Sequence, residues 1–266
     1  MNDLEIRTWL SLTRHLPRVR GAGRLSNYAR RIYLRRRRDA VTTSFLGYSL
    51  VLDPHDAVEG EMCFHPQLCE YREFAWLRRF LRPGNVFVDV GANAGAYSFA
   101  ALKSVGPSGR VLALEADPDT HARLSANIAR NGISNIVPVN VGVAGERTTL
   151  RLWRNTTGNR GGNSFLADAS RSESIALECE PLYDILVAHG VERVDAMKLD
   201  IEGFEYQVLR AFFHTAPTTL HPSLIIMEFR PDIVALAGGS ALDLVQQHGY
   251  VAQARANENY ILVKRA

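Results

Sequence analysis

Asn85-Val-Phe-Val-Asp-Val-Gly-Ala-Asn-Ala-Gly-Ala-Tyr-Ser-Phe-Ala100 decides the fold. Val86 to Val90 is a short apolar, β-branched run, long enough for a strand and too short for a helix. Gly91-Ala-Asn-Ala-Gly95 follows at once, and Tyr97, Phe99, Ala100, Ala101 and Leu102 then read as a buried helix face. Strand, glycine loop and helix in this order set backbone N–H groups and a helix N-terminus against an anionic or polar ligand. Small residues suit the loop because a Cβ would hold the ligand off the backbone and because the turn needs φ > 0. Asp89, at the strand end, has no use as core filler. A second strand, Arg110-Val-Leu-Ala-Leu114, ends in Glu115, where a βαβ unit places a carboxylate for ribose hydroxyls.

Two motifs carry a family resemblance. Asp89-Val-Gly-Ala-Asn-Ala-Gly95 resembles motif I of class I S-adenosylmethionine-dependent methyltransferases. Together with Lys198-Leu-Asp-Ile-Glu-Gly-Phe-Glu205 it is similar to the FkbM family of O-methyltransferases, from roughly Leu52 to the C-terminus. The first motif is widespread among methyltransferases, and the second is far more specific. The resemblance implies an α/β fold with a Rossmann-like, mostly parallel sheet closed by a C-terminal antiparallel hairpin. It implies S-adenosyl-L-methionine as cofactor and a hydroxyl acceptor on a sugar, glycan precursor or secondary metabolite. It also matches Glu70 to an acidic element that precedes motif I and lies over the cofactor. Leu182-Tyr-Asp184 resembles the family's leucine–aspartate–aspartate element, with Tyr183 in place of the middle acid.

The flanking sequence supports one methyltransferase domain over residues 43–266, preceded by a basic helical arm over 1–42. A helix over 118–131 has proline in its first turn and Gly132 at its C-cap. Strands follow over 136–141, with Asn140 near the end, and 194–199, ending at Asp200. Glu202 to Phe213 reads as the next helix, and Leu224 to Met227 as a strand ending at Glu228. Residues 249–254 and 260–263 form the closing hairpin. Upstream, residues 43–53 read as a hairpin turning at Gly47, and Phe74 to Leu81 as a helix ended by Pro83-Gly84. Residues 148–153 and 175–179 alternate like antiparallel or edge strands, and the polar, glycine-rich Asn155 to Ser164 between them reads as a mobile loop or lid.

Composition is ordinary for a globular chain of 266 residues, with 46 % hydrophobic and 22 % charged residues. Cys63, Cys69 and Cys179 make neither a disulfide framework nor a paired zinc pattern, so a reducing, cytoplasmic setting is expected and no structural metal. His65 is a candidate substrate-side group. No apolar run approaches the roughly 20 residues of a membrane span, and no cleaved leader is expected. The net charge of +3 hides an asymmetry: eleven arginines against Asp3, Glu5 and Asp39 give residues 1–40 a balance of +8, which leaves −5 for the remainder. Ile6, Trp9, Leu10, Leu12, Thr13 and Leu16 form an apolar stripe ended by Pro17, and Gly21-Ala-Gly23 makes a joint. Leu25, Tyr28, Ala29, Ile32, Tyr33 and Leu34 resume helical spacing, with Arg30, Arg31 and Arg35 to Arg38 on or beyond the polar side. Either the helix packs on the domain with solvated arginines, or it makes peripheral contact with an anionic membrane or a charged glycan precursor. No RNA-binding signature accompanies it, so nucleic acid is not an expected partner.

Ligands of open α/β sheets bind beyond the carboxyl ends of the strands, where Asp89, Glu115, Asn140, Asp200 and Glu228 converge. Glu70, Asp89, Gly91, Ala92, Asn93, Gly95, Glu115 and Asn140 are the expected cofactor residues. Among them, the 91–95 backbone serves methionine and ribose, Asp89 orients the loop, Glu115 accepts from the ribose hydroxyls and Asn140 lies near the adenine. Methyl transfer is an in-line displacement that needs mostly alignment, helped by a base for an alcohol acceptor. Asp200 or Glu202 is the expected base. Lys198 lies on Asp200's side of the strand by the period of two, and either holds a carboxylate or lowers the acceptor's pKa. A structural lysine–glutamate pair with Asp200 as an N-cap is the plainer alternative, and a divalent cation bridged by Asp200, Glu202 and Glu228 is another means of activation. An NAD-dependent oxidoreductase is disfavoured by a loop lacking the middle glycine. A non-catalytic protein binding anionic surfaces leaves the acidic rim unexplained.

Overall fold

The structure is a computed structural model that describes residue 8 and residues 11–17, 21–35, 39–155, 160–166 and 173–265. Helix α1 (Ala22–Leu34) precedes a hairpin of β1 (Val41–Phe45) and β2 (Tyr48–Leu52). Leu46 and Gly47 at its tip both take positive φ, as a two-residue loop matched to strand twist requires. Helices α2 (Ala57–Phe64) and α3 (Tyr71–Phe80) lead into a regular alternation. It runs through β3 (Val86–Val90), α4 (Ala96–Val105), β4 (Arg110–Glu115), α5 (Pro118–Arg130) and β5 (Ile136–Asn140). Strands β6 (Gly142–Ala144), β7 (Thr148–Trp153) and β8 (Ser174–Pro181) build a small separate sheet. Then come α6 (Leu182–Ala188), β9 (Ala196–Leu199), α7 (Glu205–Thr215), β10 (Leu224–Glu228), α8 (Ala241–Gln247), β11 (Tyr250–Ala256) and β12 (Asn259–Lys264).

The seven-stranded sheet has the order β11-β12-β10-β9-β3-β4-β5, and only β12 runs against its neighbours. Strand order therefore reverses between β3 and β9, which opens the crevice that such sheets use for ligands. One face buries Phe87, Val111, Ala113 and Ile226 against α3, α4 and α5, and the other buries Val88, Leu112, Met197 and Leu199 against α6, α7 and α8. Among the described residues no helix is long and apolar enough to cross a membrane.

Several expectations are revised. The helix expected from Glu202 begins only at Glu205, because Glu202 and Gly203 both have positive φ and the Glu205 carboxylate accepts from the N–H groups of Ile201 (2.9 Å) and Gly203 (3.1 Å). Helix α2 was not foreseen; Asp56 starts it by accepting from Val58 and Glu59 N–H, both at 3.0 Å. The helix expected from Phe74 starts at Tyr71. On α1, Leu25 and Tyr28 turn outward while Arg30 turns inward, the reverse of the expected sides. Ile6, Trp9, Leu10, Arg36 to Arg38 and the centre of the 155–164 loop lie outside the described residues.

The first hairpin is fastened by amides. Asn127 on α5 uses its Oδ1 and Nδ2 on Val51 N–H (2.8 Å) and C=O (3.1 Å), and Asn131, capping the end of α5, does the same for Ser49 at 2.8 and 2.9 Å. Two asparagines one helical turn apart thus imitate a neighbouring strand along the edge of β2. Replacing Asn127 by Leu keeps the branched outline but strands both Val51 groups, so stability falls by about 1–3 kcal/mol, read from the urea midpoint. An unchanged midpoint shows that water replaces the amide.

Candidate active site

The loop after β3 folds back on β4. Gly91 and Ala92 N–H both donate to Leu114 C=O (3.0 and 2.9 Å), and Asn93 N–H donates to Glu115 Oε2 at 2.8 Å. Glu115 Oε1 accepts from Asp117 N–H at 2.9 Å. Gly91 has φ 81°, and a Cβ there would overlap the carbonyl oxygen of Asp200. At Gly95 (φ 86°) a Cβ would collide with the Leu124 side chain. The two glycines are thus demanded by the protein's own close approaches, before any ligand enters.

A cleft opens beside this loop at the crevice between β3 and β9. Its polar side is Gly91, Asn93, Glu115 and Asp200, and its apolar side is Leu114, Val141, Val143, Leu152 and Phe165. Residues 160–166 cross it, with Asn163 Nδ2 donating to Asp117 Oδ2 (3.1 Å) and Ser164 Oγ donating to Glu202 C=O (2.8 Å).

Charge is concentrated at the strand ends. Lys198 is 1 % exposed, and its ammonium donates to Asp200 Oδ2 at 2.9 Å and Leu199 C=O at 3.2 Å. Burial alone pushes this ammonium toward neutrality, but Asp200, with Glu70 and Glu228 adding, carries its pKa above the ordinary lysine value. Burial pushes the Asp89 carboxyl up to about 6 against the pull of Ser98, whose hydroxyl donates to it at 2.6 Å. Burial and the neighbouring Asp200 and Glu202 carry Glu228 far above the usual carboxylate range. Glu202 faces Arg230 at 3.3 Å. One carboxylate oxygen each from Asp200, Glu202 and Glu228 lies within 4.8 Å of the others.

The expected residues divide accordingly. Gly91, Asn93, Glu115 and Asp200 share the cleft. Asp89, Lys198, Glu202, Ala92 and Gly95 support it without lining it. Glu70, in a left-handed conformation (φ 43°), accepts from the Tyr97 hydroxyl at 2.8 Å, with Asn259 Nδ2 at 3.4 Å. Asn140 is exposed and uses its amide on the carbonyls of Glu115 and Ala116, both at 2.9 Å, so Val141 and Val143 form the cleft wall beyond β5. His65 is buried at the end of α2, and Asp184 pairs with Arg147 at 3.1 Å. Val143, Leu152 and Phe165 had no signal in the sequence, being apolar residues brought in by the small sheet and the crossing segment.

A seven-stranded sheet of this order, with an acid after its second parallel strand and a glycine loop after its first, defines the class of S-adenosylmethionine-dependent methyltransferases. The model of the methyltransferase FkbM domain matches residues 89–252, more than half of the chain, and the chain belongs to that family. It is 28 % identical over 202 residues to methyltransferase sdnD of Sordaria araneosa, covering 62 % of this chain and 76 % of that one. It is 25 % identical over 210 residues to the AMB antimetabolite synthetase AmbE of Pseudomonas aeruginosa, covering 66 % of this chain but spanning only 10 % of the synthetase. A solved precorrin-6y C5,15-methyltransferase from Geobacter metallireducens aligns at a TM-score of 0.45 and 14 % identity, over 73 % of this chain and 88 % of that one.

The cleft suits the family's cofactor. Asn93 Oδ1 is buried with no hydrogen-bond partner, an acceptor waiting for a donor, and the Glu115 carboxylate next to it has lone pairs beyond the two backbone N–H groups it already serves. Burial pushes Glu115 up to about 7 from 4.5, against the pull of Asp117 and Asn93 N–H. Between these values the folded protein binds more protons than the unfolded chain, so stability falls as pH rises through that window. Glu115→Gln cannot ionise and flattens that part of the melting-temperature curve between pH 5 and 8. A variant with the wild-type slope shows that another group is responsible.

Proposed function

We propose that the protein is an O-methyltransferase acting on a hydroxyl of a sugar, glycan precursor or secondary metabolite, with Asp200 as general base. The observation that carries the reading is that Asp200 both lines the cofactor cleft and is held at 2.9 Å by a fully buried ammonium. Glu202, the other candidate, is turned to Arg230. When bound, S-adenosyl-L-methionine supplies a sulfonium-activated methyl group. Glu115 and Asn93 Oδ1 would hold the ribose end, and Val141, Val143, Leu152 and Phe165 would shield the adenine from water. Asp200 accepts the acceptor's hydroxyl proton as the oxygen becomes methylated. Lys198 fixes that carboxylate's rotamer, so alignment is set before the acceptor arrives.

One observation favours a second reading. Carboxylate oxygens of Asp200, Glu202 and Glu228 gathered within 4.8 Å would also hold a divalent cation, which would acidify the hydroxyl directly.

Calorimetric titration with S-adenosylmethionine and with NAD tests the cofactor first, and only the former binds. Glu115→Ala weakens that binding by about 1.5–3 kcal/mol, the worth of a lost charge-assisted contact. Asp200→Asn melts lower, because the buried Lys198 loses its charged partner, and turnover of the folded variant with methyl-labelled cofactor across glycan and small-molecule acceptors falls by roughly a hundredfold or more. Full activity of Asp200→Asn removes the base. Activity lost on chelation and restored by magnesium or manganese selects the cation.

A further inference from the structure

Helix α1 has two unlike faces. Ser26, Ala29 and Tyr33 are buried at helical spacing, and the Tyr33 ring stands edge-on to Phe64 at 5.6 Å. Arg30 belongs to this inner face: it lies on Gly60, where a Cβ would overlap its guanidinium, and donates to the carbonyls of Pro54 (2.9 Å), His55 (3.2 Å) and Asp56 (2.6 Å). Arg14 is used in the same way, donating to Thr43 Oγ1, Ser44 C=O and Cys63 C=O. Two arginines of the basic arm therefore hold the arm to the domain.

The outer face is built differently. Arg24, Tyr28, Arg31 and Arg35 follow one another at i, i+4, i+7 and i+11, a single stripe, with Leu25 beside it. All five are exposed, Tyr28 to 60 % and Leu25 to 49 %. The three arginines have no acidic partner among the described residues. Unpaired guanidinium groups around an exposed tyrosine and leucine are the composition of a helix lying in a membrane interface, where arginines meet lipid phosphates and the aromatic ring sits at headgroup level. The packing of α1 leaves these apolar side chains unused, and the fixed inner face means that the stripe needs no ordering before it binds. The charge of +8 on residues 1–40 against −5 on the remainder turns this face, and away from it the acidic bulk, toward a negative surface.

We propose that the outer stripe of α1 docks the protein on an anionic phospholipid bilayer. Docking there also fixes the cleft relative to the lipid. Asp56 accepts from Arg30 with its carbonyl and from Arg160 N–H with Oδ2 (2.7 Å), while Arg160 Nη2 reaches Asp53 Oδ2 at 3.0 Å. Arg160 is part of the cleft wall. One turn of chain thus joins the docked helix to the rim of the cofactor site, and the inference stands whether the acceptor is a sugar, a glycan precursor or a metabolite.

Co-sedimentation of the full chain with phosphatidylcholine vesicles, with and without phosphatidylglycerol, tests it. The protein sediments only with the anionic vesicles, and less so as salt rises well past about 0.15 M, where the screening length is roughly 8 Å. Replacing Arg24, Arg31 and Arg35 together by Gln lowers partitioning about a hundredfold, at roughly fivefold per arginine. Leu25→Ser with Tyr28→Ser leaves charge intact and removes the binding that persists at high salt. Calorimetric affinity for S-adenosylmethionine is unchanged in both variants, which shows them folded independently of any acceptor. Should the arginine variant fail to fold, the serine pair and the salt series decide alone. Indifference of the intact protein to phosphatidylglycerol, or sedimentation of the folded arginine variant at the wild-type level, overturns the proposal. So does displacement from vesicles by an equal phosphate concentration of RNA, which would assign the stripe to nucleic acid.

Discussion

A single ammonium, that of Lys198, sits at the centre of the sheet with almost no access to water. Its strand neighbours in register are Asp89 on β3 and Ile226 on β10, and its Nζ lies 5.1 Å from the centre of the Tyr97 ring. Taking such a charge out of water costs several kcal/mol unless partners replace the lost hydration. Asp200, the Leu199 carbonyl and the Tyr97 ring are those partners, and their positions follow from that need. Asp200 is thereby fixed at the mouth of the crevice by the same contact that makes Lys198 tolerable. Stability and catalytic geometry are one interaction here.

Around this pair, acids outnumber bases. Asp89, Asp200, Glu202 and Glu228 share the strand ends with Lys198 and Arg230 as their cations, and Glu70 and Glu73 add a second acidic pair beneath Tyr97 and Asn259. Burial and mutual repulsion hold Glu228 and Glu70 protonated further toward neutral pH than free carboxylates. The backbone is strained at the same place, with Glu202 at φ 51°. Such an excess favours a positively charged guest, and the sulfonium of the family's cofactor is one.

What the sequence showed was local. A β-branched run, two glycines and an apolar helix face sit side by side, so β3, its loop and α4 were readable, as was the shared side of Lys198 and Asp200. The hidden parts depend on distant chain. Gly91 is required by the carbonyl of Asp200 just past β9, more than a hundred residues on, and no local pattern records that approach. The start of α7 is delayed because the Glu205 side chain satisfies N–H groups upstream of the helix, so propensity for Glu202 onward is overridden. Arg30 looks like its neighbours in sequence, yet three carbonyls in a turn at 54–56 draw it inward. The apolar cleft wall came from a small sheet whose strands alternate without any ligand signature.

The segment across the cleft shows how a fold can open without coming apart. Two of its aspartate anchors, Asp56 and Asp117, are helix caps that turn their second oxygen to the segment. Asp56 gives Oδ1 to the first N–H groups of α2 and Oδ2 to Arg160 N–H. Asp117 gives Oδ1 to those of α5 and Oδ2 to Asn163, with Arg154 bracing it at 2.9 Å. Releasing residues 160–166 breaks the contacts on those second oxygens, the Arg160–Asp53 pair and the hydrogen bonds of Asn163 and Ser164 to Asn155, Trp153 and Glu202, yet leaves each cap intact. Those contacts are hydrogen bonds of part-buried groups, each worth about 0.5–1.5 kcal/mol net against water. None of these contacts reaches Lys198 or Asp200, so the pair at the centre of the sheet is held independently of the crossing segment.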